Sequence, residues 1–115
     1  MSADVRVLLE SIVESIELIE RYVDGLSRDG FFASQQSQDA VLRRIEIIGE
    51  AVKSLPQDWK DAHPMAPWRE IAQMRDILIH RYFNVDLGLV WQTIQVDIPA
   101  LKHTVKTLLN NLPSH

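Results

Sequence analysis

The sequence predicts an all-α protein, an antiparallel bundle of four to five helices. Three observations predict it. Apolar residues step by four and three through nearly every segment, the period of helices that each bury one face. No segment reads as a strand. The chain has 115 residues, 46% of them apolar and 24% charged, the size and composition of one globular domain over residues 1–115.

The first helix has Val5, Leu9, Ile12, Ile16, Ile19, Val23 and Leu26 on one side and Glu10, Glu14, Glu17, Arg21 and Asp24 on the other. Glu17 and Arg21 stand four apart in the favourable order for an ion pair. Gly25 starts the fraying, and Asp29-Gly30 ends the helix. A second helix starts near Ser37 or Asp39, either of which can cap it. Its stripe is Val41, Ile45, Ile48, Val52 and Leu55, and Pro56 stops it. Gly49 costs helix propensity within it, which close approach of a neighbouring helix would explain. Residues 56–67 form the one substantial loop, stiffened by three prolines and pinned to the core by Trp59. Pro67 suits the first turn of a third helix. That helix runs from Trp68 to Phe83 with Ile71, Met74, Ile77 and Leu78 inward. After a short link Asp86 caps the last segment, where Leu87, Trp91, Ile94, Ile98, Leu101, Val105, Leu108 and Leu112 keep the register through Pro99. One kinked helix or two joined end to end is expected there.

Composition narrows the function. With no cysteine, the chain has no disulfide scaffold, zinc ribbon, iron–sulfur site or thiol nucleophile. No apolar run approaches the ~18 residues of a membrane span. The N-terminus carries acids at helical spacing where a signal peptide would be basic and then apolar, so a cytoplasmic location is expected. The formal charge of −4 argues against broad coating of nucleic acid. The first 24 residues hold six acids and two bases, and the remainder ten of each, so a local basic site outside the first helix remains open. The acidic face of that helix reads as solvated surface, or as a surface for a basic partner.

Packing accounts less readily for Arg75-Asp76-Ile77-Leu78-Ile79-His80-Arg81-Tyr82. On a helix, Arg75 and Tyr82 nearly superpose, and Asp76 and His80 share a face. Arg75 offers a permanently charged fork that suits a phosphate. His80 can give and take a proton near neutral pH. Asp76 can hold the His80 ring, and Arg81 adds positive charge. Together they form a minimal, metal-free kit for cleaving RNA, whose own 2′-OH serves as nucleophile. Blander roles also fit: His80 complementing a helix dipole, Arg75 and Asp76 as surface charges, Tyr82 as a core aromatic. An ideal helix separates Arg75 from His80 by about 140°. Local unwinding, or residues of a second copy, must bring them to one phosphate. His63, His103 and His115 lack metal-ligand spacing, and Trp59, Trp68 and Trp91 read as core or interface aromatics.

Arg75-x4-His80-x-Tyr82 matches the R-x4-H-x-Y signature of HepT-like toxins in the HEPN superfamily. Asp39-Ala40-Val41-Leu42-Arg43-Arg44-Ile45-Glu46-Ile47-Ile48-Gly49-Glu50-Ala51 resembles that family's second helix. Pro67-Trp68-Arg69-Glu70-Ile71-Ala72 resembles the entry to its motif helix. Tyr82-Phe83-Asn84-Val85-Asp86, Val90-Trp91 and Asp97-Ile98-Pro99-Ala100-Leu101 resemble the family's segments beyond the motif. The likeness runs in order from about Val5 to Leu109.

The resemblance implies a HEPN-like helical domain that forms a homodimer, with the motifs of two protomers lining a cleft. It implies a metal-independent endoribonuclease without cofactors, the toxin of a toxin–antitoxin pair. RNA is then the substrate, no DNA is expected for the isolated chain, and no membrane is involved. The partner would be an MntA-like minimal nucleotidyltransferase antitoxin that transfers AMP from ATP to Tyr82, placing bulk and negative charge in the cleft. Arg75 would grip the scissile phosphate. His80 would act as base or acid on the 2′-OH and the leaving 5′-oxygen, to give a 2′,3′-cyclic phosphate. Asp76 stands where many relatives have Asn, and Arg81 falls at a variable position. Both are supporting candidates only. A competing reading is a non-catalytic helical adaptor that binds a nucleotidyltransferase or a nucleotide and cuts nothing.

Overall fold

The computed structural model describes residues 4–81 and 84–113, without the side chains of residues 79–81 and 84. Tyr82 and His115 therefore lie outside the described residues. Helix α1 spans Val5–Val23, α2 Arg28–Phe32, α3 Gln35–Ser54, α4 Gln57–Ala62 and α5 Trp68–Leu78. Strands β1 (Ile79–Arg81) and β2 (Asn84–Val85) come next. The chain ends in α6 (Leu87–Gln92), a five-residue π-helical stretch (Thr93–Asp97) and α7 (Ile98–Asn111). The architecture is the all-α bundle that the apolar stepping predicts, but the described residues form seven α-helices instead of four to five, because short α2, α4 and α6 fill the connections, and two short strands where no strand was expected. No described helix is long and apolar enough to cross a membrane.

The stripes meet in one core. Leu9, Ile12, Ile16 and Ile19 of α1, Val41, Ile45, Ile48 and Val52 of α3, and Val105 of α7 are fully buried. Burying each such side chain contributes roughly 1.5–3 kcal/mol. Val5, Val23, Leu26, Leu87, Trp91 and Leu112 pack on the core's edge. α1 lies between α3 and α7, and α3 lies on α5. The α1–α7 pairing is antiparallel, because Lys102 Nζ reaches Glu20 at 2.8 Å while Arg6 Nη2 donates to the Pro113 carbonyl at 3.4 Å. Glu17, expected to pair with Arg21, instead faces Lys106 at 3.6 Å and Lys102 at 3.9 Å. Two acids of α1, Glu17 and Glu20, are thus engaged by α7.

Lys102 carries a consequence for pH. Its hydrogen bond to Glu20 raises its pKa above the ordinary 10.5, against the opposing effect of desolvation. A raised lysine pKa stabilises the fold fully below 10.5, and that contribution is lost as pH climbs through the folded value. The Lys102→Met protein is expected to be less stable near neutrality, and its deficit should shrink in the alkaline range. Urea midpoints measured against pH for both proteins check this.

Several boundaries differ from the sequence expectation. Helix α1 stops at Asp24, and Gly25 takes a left-handed φ of 77°. Asp29-Gly30 lies inside α2, because the Ser27 side chain accepts the Gly30 N–H and starts a new turn. Helix α3 begins earlier than Ser37 or Asp39: Ser34 caps it by accepting the Ser37 N–H at 3.1 Å. The proline-rich loop contains α4, with Trp59 half-buried against the core.

Helix α5 ends at Leu78 instead of running to Phe83. Beyond Leu78 the backbone is claimed by tertiary pairing: Ile79 pairs with Val85, and the Asp86 N–H donates to the Leu78 carbonyl at 3.2 Å. This overrides local helix propensity, and β-branched Ile79 suits the extended form. Asp86 caps α6 as expected, accepting the Leu89 N–H at 3.0 Å. Pro99 sits in the first turn of α7, so the last segment is two helices joined end to end through the π-helical stretch.

Gly49 has the reason its position suggested. A Cβ there would lie 3.3 Å from the Ala72 carbonyl oxygen and 3.7 Å from that of Ile71. The backbones of α3 and α5 therefore meet closely. Glu46 opposite Arg75 and Gly49 opposite Ala72 set an antiparallel register.

Candidate active site

The α3–α5 seam leads to Arg75, in the last turn of α5. Its Nε lies 3.1 Å from Glu46 Oε2, and its Nη1 lies 3.3 Å from Asp76 Oδ1. Glu46 is itself held by Arg43, whose Nη1 is 3.0 Å from Oε1. Four charges thus alternate along the seam: Arg43, Glu46, Arg75, Asp76. At this exposure such pairs contribute only ~0–1 kcal/mol each to stability. Their effect is on direction. Glu46 occupies the Nε edge of the fork and leaves the Nη1–Nη2 edge, where Asp76 is the competitor among the described residues. Asp76 is 70% exposed and free to swing away.

The strand pairing shows where His80 falls. Ile79 pairs with Val85 and Arg81 with Asn84, an irregular register. Two steps along β1 thus match one step along β2, and the extra residue is His80. A bulge of this kind breaks the ladder locally, and bulges are over-represented beside active sites. The helix arithmetic that placed Arg75 over Tyr82, and Asp76 beside His80, does not apply, because the helix ends between them. Local unwinding was one of the two ways to relieve the 140° separation of an ideal helix. Arg75 and Asp76 are brought into contact. The side chains of His80 and Arg81, and all of Tyr82, lie outside the described residues.

Glu46 is the residue that sequence reasoning missed. It lay within the segment that resembled the family's second helix, without a role. A signal was present: Glu46 precedes Gly49 by three, and a glycine that permits close helix contact makes its same-face neighbours face the adjoining helix.

The remaining histidines and tryptophans have structural settings. His63 stacks on Trp59 with ring centroids 4.3 Å apart, and its Nδ1 lies 2.7 Å from the Trp59 carbonyl. The Trp68 Nε1–H donates to the His63 carbonyl at 2.8 Å, and Trp68 is buried. Trp91 packs on Phe31 at 5.4 Å. His103 is exposed on α7.

Comparison with known proteins identifies the family. Residues 12–108 match the family model described as "HepT-like: Ribonuclease HepT-like". A Methanocaldococcus jannaschii protein, whose name pairs gamma-glutamylcyclotransferase with RNase, is 51% identical over 97% of this chain. The chain spans only 50% of that relative's length. "Probable ribonuclease HepT" of Thermococcus cleftensis is 51% identical over 82% of this chain and 86% of its own length. A Caldanaerobacter subterraneus protein named as an RNase is 43% identical over 90% of this chain and 93% of its own. No solved structure matches. With the family model covering most of the bundle and both sides of the Arg75 seam, the chain belongs to the HepT-like ribonuclease family.

Proposed function

We propose that this chain is a metal-independent endoribonuclease and the toxin of a toxin–antitoxin pair. The observation that carries the reading is the pre-oriented Arg75 fork at the end of α5, with a bulge at His80 within one turn of chain beyond it. The fork supplies two parallel N–H donors to a phosphate once Asp76 yields. The RNA 2′-OH attacks the adjacent phosphorus. His80 takes the hydroxyl proton as base, or returns one to the departing 5′-oxygen as acid. The P–O5′ bond breaks as the P–O2′ bond forms. The products are a 2′,3′-cyclic phosphate and a free 5′-hydroxyl.

A homodimer fits an exposed feature of α5. Ile77, expected inward, is 51% exposed and lies on the rim of an apolar groove with Met74, Leu78, Leu89, Ile98 and Leu101. A second copy covering it would pair two protomers along α5. Ile77→Asp is expected to leave the fold intact and yield monomers in light scattering, with cleavage reduced. A protein that stays dimeric would place the interface elsewhere.

The regulatory partner is a minimal nucleotidyltransferase. The Tyr82 hydroxyl attacks the α-phosphorus of ATP and pyrophosphate leaves, so AMP sits two residues from His80. Its charge and bulk then oppose RNA entry. The test of the whole reading uses the purified chain, its mass confirming an unmodified Tyr82, with labelled RNA in EDTA. Cleavage to cyclic-phosphate ends is the expected result. Failure to cut several RNA types would leave the non-catalytic adaptor as the better account.

A further inference from the structure

The Arg75 cluster raises a question of affinity. Arg43 and Arg75 are offset by Glu46 and Asp76, and the chain as a whole is acidic at −4. Such a site can orient a phosphate, but it has little net field to collect a polyanion. Lys102 and Lys106 are engaged by Glu17 and Glu20. Among the described residues, the cations that meet no carboxylate are Arg6, Arg21, Arg28, Arg44, Lys53, Lys60 and Arg69. Arg28 is seated over the Phe32 ring at 4.4 Å. Three of the others, Lys53, Lys60 and Arg69, line a single open groove of about 590 Å³ between the end of α3, α4 and the start of α5.

The groove is built for chain-like anions in other respects. The Lys60 ammonium is positioned by a 3.1 Å hydrogen bond to the Val52 carbonyl, which leaves its other N–H donors for a ligand. The Gln57 and Gln73 amides also line the walls. Two acids share the groove, Asp61 and Glu70, and Asp61 accepts a 2.9 Å bond from Gln57. Three positive charges against two leave the groove net cationic within an acidic protein. Position ties it to the Arg75 site. Arg69 precedes Arg75 by six residues on one helix, a rise of ~9 Å along the axis. Gln73 lies between them.

We propose that this groove is a subsite for the phosphate backbone of single-stranded RNA flanking the bond at Arg75, with Lys53 and Arg69 as its phosphate contacts. The inference rests on the nuclease reading for its direction. Its own content is separate: affinity and salt dependence come from the groove, whereas orientation at the scissile phosphate comes from Arg75.

The test compares a dinucleotide with a dodecamer of RNA, using the full chain and its Lys53→Ala/Arg69→Ala variant. Both replaced side chains are exposed and make no hydrogen bond with described residues, so thermal melting should be unchanged. A dinucleotide has one phosphate, which Arg75 takes, so its cleavage should be the same in both proteins. Dodecamer affinity is expected to fall on the order of tenfold, and its log–log salt slope to flatten by ~1.4, at ~0.7 per lost phosphate contact. Lys53→Glu/Arg69→Glu should deepen the loss while still sparing the dinucleotide. Equal dodecamer binding in all three proteins would overturn the subsite, as would equal slowing on both substrates. If the parent chain binds the dodecamer through the groove yet cuts neither RNA, the subsite stands and the nuclease reading falls. If it neither binds nor cuts, both fall.

Discussion

RNA cleavage by the His80→Ala protein should fall by ~10²–10⁴-fold, the usual contribution of a positioned acid–base group. Its melting temperature should stay near that of the parent. His80 stands in a two-stranded pairing, at a residue that the ladder skips. RNA affinity should change little, because the grip on phosphate is assigned to Arg75. The loss therefore belongs in kcat rather than KM. Residual cleavage in EDTA, equal in the parent and the variant, would mean that His80 moves no proton. A bell-shaped pH profile in the parent that flattens in the variant would tie the group to the rate.

The second large effect is at Arg75. Arg75→Lys keeps the charge but loses the planar fork, and ~10²–10³-fold in kcat should go with it. The size of that loss separates a shaped contact from a merely positive one. Glu46 carries the same logic across the seam. Glu46→Ala frees Nε, so the guanidinium samples more directions and kcat should drop by roughly tenfold, since misplacement of a catalytic group is costly even when the chemistry is untouched. Glu46→Gln keeps an amide oxygen that can accept from Nε. It should retain most of the kcat and bind RNA more tightly, because a negative charge has gone. Single-turnover rates on one RNA, with affinities measured in parallel, give the split. A Glu46→Ala protein indistinguishable from the parent would remove Glu46 from any positioning role.

The helices that bury a continuous stripe were legible in the sequence. Ile12, Ile16 and Ile19, or Ile45, Ile48 and Val52, repeat at a period that only a half-buried helix requires, and all six are fully buried. Gly49 was legible for the same reason, as a departure from propensity that needed a neighbour. The end of α5 was not. Arg75 to Phe83 reads as helix because local preference there is weakly helical, while the competing pairing of Ile79 with Val85 is set by tertiary contact. Ile77 misled for a related reason. One apolar residue adjoining a true stripe cannot show whether its own chain or another covers it. Within the candidate site, the residue types at 75 and 80 stood out by chemistry. Glu46 did not, because its partner lies 29 residues away on another helix.

The π-helical stretch before α7 has a consequence for how this chain tolerates change. The Ile98 N–H reaches back five residues to the Thr93 carbonyl, so the stretch holds one residue more than an α-helix would. Pro99 stands immediately after it, with no N–H to give and a ring that crowds the carbonyl four residues before it. The extra residue widens the turn that the ring would otherwise strike. Insertion and proline are therefore a coupled pair. Deleting exposed Gln95 alone should return Pro99 to a clash, and Pro99→Ala alone should leave a bulge without purpose. Made together, the two changes should restore a continuous helix with Val90, Ile98 and Leu101 still facing the core. In a lineage, a chain that loses one of them is under pressure to lose the other.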